Sequence, residues 1–129
     1  MEFFVYGTLT DSETPRTVLD SFEYRESATL VGLRRVDGRY PTLVPGGSTA
    51  GRILHTDDVT ALDRYEGVDR GLYVRVSVPR ENGGTVETYV GDPDRLGVGD
   101  EWPGDGDFED RVRDVLGQDV FVRTDSSRR

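Results

Sequence analysis

Cysteine and lysine are both missing from this 129-residue chain, and histidine, methionine and tryptophan occur once each. Without cysteine there is no disulfide, no thiolate nucleophile and no Cys-based zinc site. The single histidine, His55, leaves no two-His metal site within one chain and gives a Ser-His-Asp arrangement only one possible base. No apolar run is long enough to cross a bilayer, and the N-terminus lacks a charged region followed by a cleavage pattern. A cytoplasmic protein with no membrane contact, no metal and no cofactor is expected. Since lysine is absent, all 16 bases are arginine, set against 25 acids for a net charge of -9. That balance argues against nucleic-acid binding, which needs cations at the phosphates. The acids are scattered along the chain and do not form a tail. This favours general solubility at high salt, and a halophilic source, over recruitment of a basic partner.

A chain of this length can bury a core without staples. It shows no repeat and no linker, so one domain is expected over residues 1–123, with a polar, fraying tail over 124–129. Phe3-Phe4-Val5-Tyr6 is a fully apolar run suited to a strand buried on both faces. Thr14-Pro15 reads as a helix cap followed by proline in the first turn, with Val18, Leu19 and Phe22 packing. Thr29 to Val36 is predicted as a strand that bends at Gly32. Tyr40 to Val44 is a short extended segment closed by a Pro45-Gly46-Gly47 turn, and Thr49 to His55 is a further strand. Val74, Val76 and Val78 alternate with Tyr73, Arg75 and Ser77; Asn82-Gly83 signals a tight hairpin back into Thr85 to Val90. After a Gly/Asp/Pro-rich stretch in which Trp102 plugs one end of the core, Asp107 caps a final helix packed through Phe108, Val112, Val115 and Leu116. Several consecutive strands with few crossover helices point to an α+β domain with a mainly antiparallel, barrel-like sheet.

The segment ending in Leu62-Asp63-Arg64-Tyr65-Glu66-Gly67 is the most informative. Thr56 reads as an N-cap followed by two acids in the first turn, and Gly67 as a left-handed stop. Val59, Leu62 and Glu66 then stand at i, i+3 and i+7 on one helix face. A carboxylate in line with Val and Leu must be paired, protonated or used. The bland alternatives are a solvent-facing carboxylate, or one paired with Arg70 or Arg75. His55 reads as structural.

Three motifs in order resemble the gamma-glutamylcyclotransferase-like family, in its gamma-glutamylamine cyclotransferase and avirulence-induced-protein-like branch. They are Val5-Tyr6-Gly7-Thr8-Leu9, then Tyr40-Pro41-Thr42-Leu43-Val44-Pro45-Gly46 with the Gly51 strand, then Leu62 to Val68 continuing through Gly71-Leu72-Tyr73-Val74-Arg75; together they span roughly residues 3 to 102. The resemblance implies a small mixed β-barrel with flanking helices. It also implies an enzyme, a monomer or weak dimer, that cyclises a small gamma-glutamyl substrate to 5-oxoproline and releases the attached amine. Glu66 matches the family's catalytic Glu, and Tyr6, Gly7, Thr8 and Leu9 match its substrate-binding loop. Tyr73 and Arg75 are candidates for the cavity rim. Where many relatives continue that loop with basic residues, this chain has Thr10-Asp11-Ser12-Glu13, and Arg39 is a candidate replacement for neutralising the substrate's carboxylate. A non-catalytic binding module on the same fold is the alternative.

Overall fold

The apolar run at the N-terminus forms β1 (Glu2–Val5), which lies within the sheet and has Phe3, Phe4 and Val5 all buried. The computed structural model behind this description covers residues 1–7, 13–81, 83–98, 102–104 and 106–124. Successive side chains on a strand point to opposite faces. Phe4 therefore enters one hydrophobic cluster, while Phe3 and Val5 enter another. The first cluster takes residues from all six strands together with Trp102, Val112 and Leu116, and fills the inside of the curved sheet. The second joins Phe3, Val5, Leu54, Tyr73 and Tyr89 to Leu19 and Leu62 on the outer, helix-covered side.

After β1 come α1 (Glu13–Val18), the long strands β2 (Glu23–Asp37) and β3 (Pro41–His55), and α2 (Val59–Glu66) with a 3-10 turn over Val68–Arg70. The hairpin β4 (Tyr73–Pro79) and β5 (Thr85–Gly91) follows, then α3 (Pro93–Leu96), α4 (Phe108–Leu116) and β6 (Phe121–Thr124). The sheet order is β4-β5-β1-β3-β2-β6, antiparallel except where β1 runs parallel to β5. The two edges meet at one end. Arg80, just past β4, bridges to Val122 on β6, and the Glu81 N–H donates to the Val122 carbonyl at 2.9 Å. The Arg80 guanidinium reinforces the closure, reaching Glu2 at 2.7 Å and Glu26 at 2.9 Å. The result is a curled half-barrel in an α+β fold, as anticipated. Among the described residues no helix is long and apolar enough to cross a membrane.

Several local expectations need correction. Pro45-Gly46-Gly47 is no turn: β3 runs unbroken past it, and Gly46 and Gly47 form a bulge opposite Gly32, between the Val31–Ser48 and Leu33–Pro45 pairs. Positive φ at all three glycines permits this irregularity. The β4–β5 hairpin does form as expected, with Pro79 pairing with Thr85 and the Arg80 N–H donating to the Gly84 carbonyl at 2.9 Å. Asn82 lies outside the described residues. Helix α1 begins at Glu13, so Thr14 is inside it and is not its cap. At the C-terminus β6 is a strand the sequence did not announce; the tail beyond Thr124 is outside the described residues. Trp102 is buried edge-on against Phe108, and the Asp107 carboxylate accepts from the Asp110 N–H at 3.0 Å, as expected of a cap.

Candidate active site

Helix α2 starts later than its sequence suggests. Thr56 is not the N-cap: its hydroxyl accepts from the Asp58 N–H at 3.1 Å and donates to the Ser21 carbonyl at 2.7 Å. Asp58 occupies the cap position, but its carboxylate accepts from the Asp20 and Ser21 N–H groups, and no acid remains in the first turn. These bonds fasten the start of α2 to the chain after α1. Leu62 is fully buried in the outer cluster and anchors the middle. At the far end Gly67 adopts φ 75°, ψ 31° and donates its N–H to the carbonyls of Asp63 and Arg64, ending the helix as expected.

One helical turn beyond Leu62 the apolar packing stops and a cavity of about 530 Å³ begins. Glu66 lines it, half-buried, and no described residue hydrogen-bonds or ion-pairs with its carboxylate. Burial raises its pKa from 4.5 to about 7. The alternative partners are engaged elsewhere or absent. Arg75 does not line the cavity; it binds Asp63 at 3.0 Å and Glu87 at 2.9 Å. Arg70 lines the cavity without pairing to Glu66.

The end of β1 reaches the same cavity through Phe4, Val5 and Tyr6, so the two segments that sequence reading singled out meet in space. Arg39 and Tyr73 line it as well. Gly7 directly follows, with φ 76° and room for a Cβ only 3.5 Å from Pro41 Cγ. Thr8 and Leu9 lie outside the described residues. The phenols hold the cavity together: Tyr6 donates to the Tyr89 carbonyl, joining β1 to β5, and Tyr73 donates to the Pro41 carbonyl at 2.6 Å, joining β4 to β3. Burial, with the Glu66 charge second, pushes both phenols above their ordinary range, so both stay protonated at neutral pH. Having spent their protons on carbonyls, these oxygens can still accept a hydrogen bond from a ligand.

Behind Glu66 a polar network fixes α2 to the hairpin. Tyr89 Oη donates to Asp63 Oδ1 at 2.7 Å, beside the Arg75 bond to the same oxygen, and Glu87 also receives the Ser77 hydroxyl. Asp63 sits three residues before Glu66, almost one turn, so the network sets the rotation of the helix that carries it. Sequence reading missed Tyr65, Arg70, Leu72, Tyr89 and Arg95 as cavity residues. Only Tyr89 had a signal, its place on the same face of β5 as Glu87, across from Arg75. Arg70 sits in a three-residue 3-10 turn and Arg95 in the four-residue α3, both too short for periodicity to tell where a side chain points. Among the described residues no three His, Cys, Asp or Glu side chains gather to hold a metal.

The arrangement offers a mildly basic carboxylate, hydrogen-bond acceptors and guanidinium groups around one cavity, suited to moving a proton within a small anionic substrate. Known proteins share this architecture. The family model for gamma-glutamyl cyclotransferase, AIG2-like proteins matches residues 3–109. AIG2-like protein C of Arabidopsis thaliana is 34% identical over 123 residues, covering 84% of this chain and 67% of the relative. AIG2-like protein D of the same plant is 31% identical over 116 residues, covering 77% and 76%. A solved gamma-glutamyl cyclotransferase superposes with a TM-score of 0.60 over 92% of this chain and 98% of that one; at 16% identity it speaks for the fold alone. The solution structure of an Arabidopsis thaliana protein gives 0.57 at 34% identity, over 87% and 80%. The chain belongs to the gamma-glutamyl cyclotransferase, AIG2-like family.

Proposed function

We propose that the protein cyclises a gamma-glutamyl amine or gamma-glutamyl amino acid to 5-oxoproline, with Glu66 as the general acid and base. The observation that carries this reading is the half-buried Glu66 carboxylate, without a partner among the described residues, lining the cavity at the end of an apolar helix face with a pKa of about 7. A group poised there is ionised often enough to accept a proton at neutral pH and acidic enough to return it.

The nucleophile is the substrate's own α-nitrogen. Glu66 takes a proton from the α-ammonium, the freed amine attacks the γ-carbonyl carbon, and a five-membered ring closes on a tetrahedral oxyanion. Glu66 delivers that proton to the leaving nitrogen, and the bond from the γ-carbon to that nitrogen breaks. Glu66 then takes the second proton from the ring nitrogen and passes it to the released amine, so that 5-oxoproline and an ammonium depart and the carboxylate is restored. Attack within one bound molecule turns the folded pose itself into a large part of the rate. The phenol oxygens of Tyr6 and Tyr73 can accept from the α-ammonium.

The test is an assay for 5-oxoproline across gamma-glutamyl amino acids and gamma-glutamyl amines, with wild type and Glu66→Gln compared. Loss of about 10²–10⁴-fold in kcat is expected for the variant, with an unchanged fold by circular dichroism. Full activity in Glu66→Gln removes Glu66 from the mechanism. No product from any conjugate with the wild-type protein favours the binding-module reading.

A further inference from the structure

The lining of the cavity runs against the charge balance of the chain. Although the chain carries a net charge of -9, three guanidiniums, Arg39, Arg70 and Arg95, line this one cleft. Glu66 is the only acid lining it among the described residues. None of the three arginines pairs with a carboxylate among the described residues. Outside the cleft Arg25, Arg35, Arg75, Arg80, Arg113 and Arg123 pair with carboxylates, while Arg111 donates to the Trp102 carbonyl at 3.0 Å. In a protein where acids outnumber bases, three arginines beside a single described acid make this cleft locally positive. Arg39 and Arg95 are moreover tied together through their backbones: the Arg39 N–H donates to the carbonyl of Leu96, next to Arg95, at 2.7 Å. Their two segments therefore present guanidiniums from a fixed frame.

A gamma-glutamyl group brings one carboxylate and one ammonium, and a single guanidinium is enough to match the carboxylate. Two more remain. We propose that Arg39 and Arg95 form a second anion site that selects gamma-glutamyl conjugates whose leaving amine itself carries a negative charge. The substrate class is then gamma-glutamyl amino acids, with acidic ones ahead of neutral ones, in preference to conjugates of simple or cationic amines. The inference rests on the cyclotransferase reading for its chemistry, but the anion site stands on the geometry of the cleft. Opposite charge at a cleft mouth raises the local concentration of an anionic ligand and rejects a cationic one.

The decisive pair is gamma-glutamylglycine and gamma-glutamylglycinamide, which match in shape and differ by one charge. The expected result is a preference of about tenfold in kcat/KM for the free acid at low salt, carried by KM, with gamma-glutamylaspartate better still and Nε-(gamma-glutamyl)lysine made with a capped lysine carboxylate worst. In the Arg39→Gln/Arg95→Gln double variant the acid-to-amide ratio falls toward one. Equal turnover of acid and amide by the wild type, or an unchanged ratio in the double variant, overturns the anion site and leaves the cyclotransferase reading intact. If neither compound is turned over, calorimetric binding of the same pair decides. Tighter binding of the acid, lost in the double variant, keeps the anion site while the catalytic reading falls. No binding of either, or equal binding of both, ends the anion site as well.

Discussion

Glu66 is held where its ionised form is disfavoured, and that has a thermodynamic consequence independent of catalysis. In the unfolded chain the group has its ordinary pKa of 4.5; in the folded protein burial raises it to about 7. Below pH 4.5 both states hold the proton and the group does not affect stability. Between pH 4.5 and 7 the unfolded chain gives up its proton first, so the folded state loses ground as pH rises. Above pH 7 the full cost is present, about 3 kcal/mol, because each tenfold change in proton affinity is worth about 1.4 kcal/mol. Glu66→Gln removes a charge and little else. Urea unfolding should show wild type and variant similarly stable near pH 4.5, with the variant more stable by about 2–3 kcal/mol at pH 8. A gap that stays constant with pH would mean the carboxylate is well solvated and unsuited to its proposed role. The position of this residue was legible in the sequence, because Val59, Leu62 and Glu66 share a helix face whatever the tertiary fold. Arg70 and Arg95 were not, since an arginine in a helical turn of three or four residues is aimed by its neighbours in space and by nothing in its own spacing.

At the scale of elements, the site depends on how closely β1 approaches β3, because β1 delivers Tyr6 to the cavity. Gly51 on β3 makes that approach possible. A Cβ there would stand 2.3 Å from the Val5 carbonyl oxygen and 2.6 Å from the Phe4 ring, which covers the bare backbone. Gly51 needs no unusual φ; its reason is space alone. Gly51→Ala must push a central strand aside and is expected to cost about 2–4 kcal/mol. Gly71→Ala is the contrast. Its φ of 72° is strained for alanine, but nothing lies within 4 Å of the new methyl, so about 1 kcal/mol is expected. Thermal melts of the two variants check the order, and an equal loss in both would refute the packing argument. The elements themselves were legible where one physical rule acted alone: the buried run of β1, the alternation of β4, the capped α4. They were misread where tertiary structure overrode local chemistry. Pro45-Gly46-Gly47 has turn composition but lies in a long strand because Gly32 opposite it absorbs the irregularity. Strand β6 carries only Phe121 and Val122 as apolar residues, and pairing along β2 and the edge contact with Arg80 make it a strand.

For the molecule as a whole, two electrostatic effects respond to salt in opposite directions. The described ion pairs include exposed ones such as Arg113–Glu109 and Arg123–Glu81, each worth at most about 1 kcal/mol and weakened by salt. Against them stands the repulsion among 25 acids opposed by only 16 arginines. Repulsion acts across the whole surface and exceeds what isolated exposed pairs return, so screening should stabilise the fold on balance. The screening length falls from about 10 Å at 0.1 M to about 3 Å at 1 M, enough to remove most of the repulsion. The melting temperature is expected to rise by roughly 3–8 °C over that range in sodium chloride, a gain of about 1–2 kcal/mol for a chain this size. A flat or falling melting temperature would contradict a surface adapted to salt. The same screening acts on the arginine-lined cleft with the other sign. The preference for gamma-glutamylglycine over its amide should shrink as salt rises, even as the fold grows more stable. Measuring both in one salt series separates surface from site. Parallel changes would mean that the cleft draws its selectivity from contacts other than its charge.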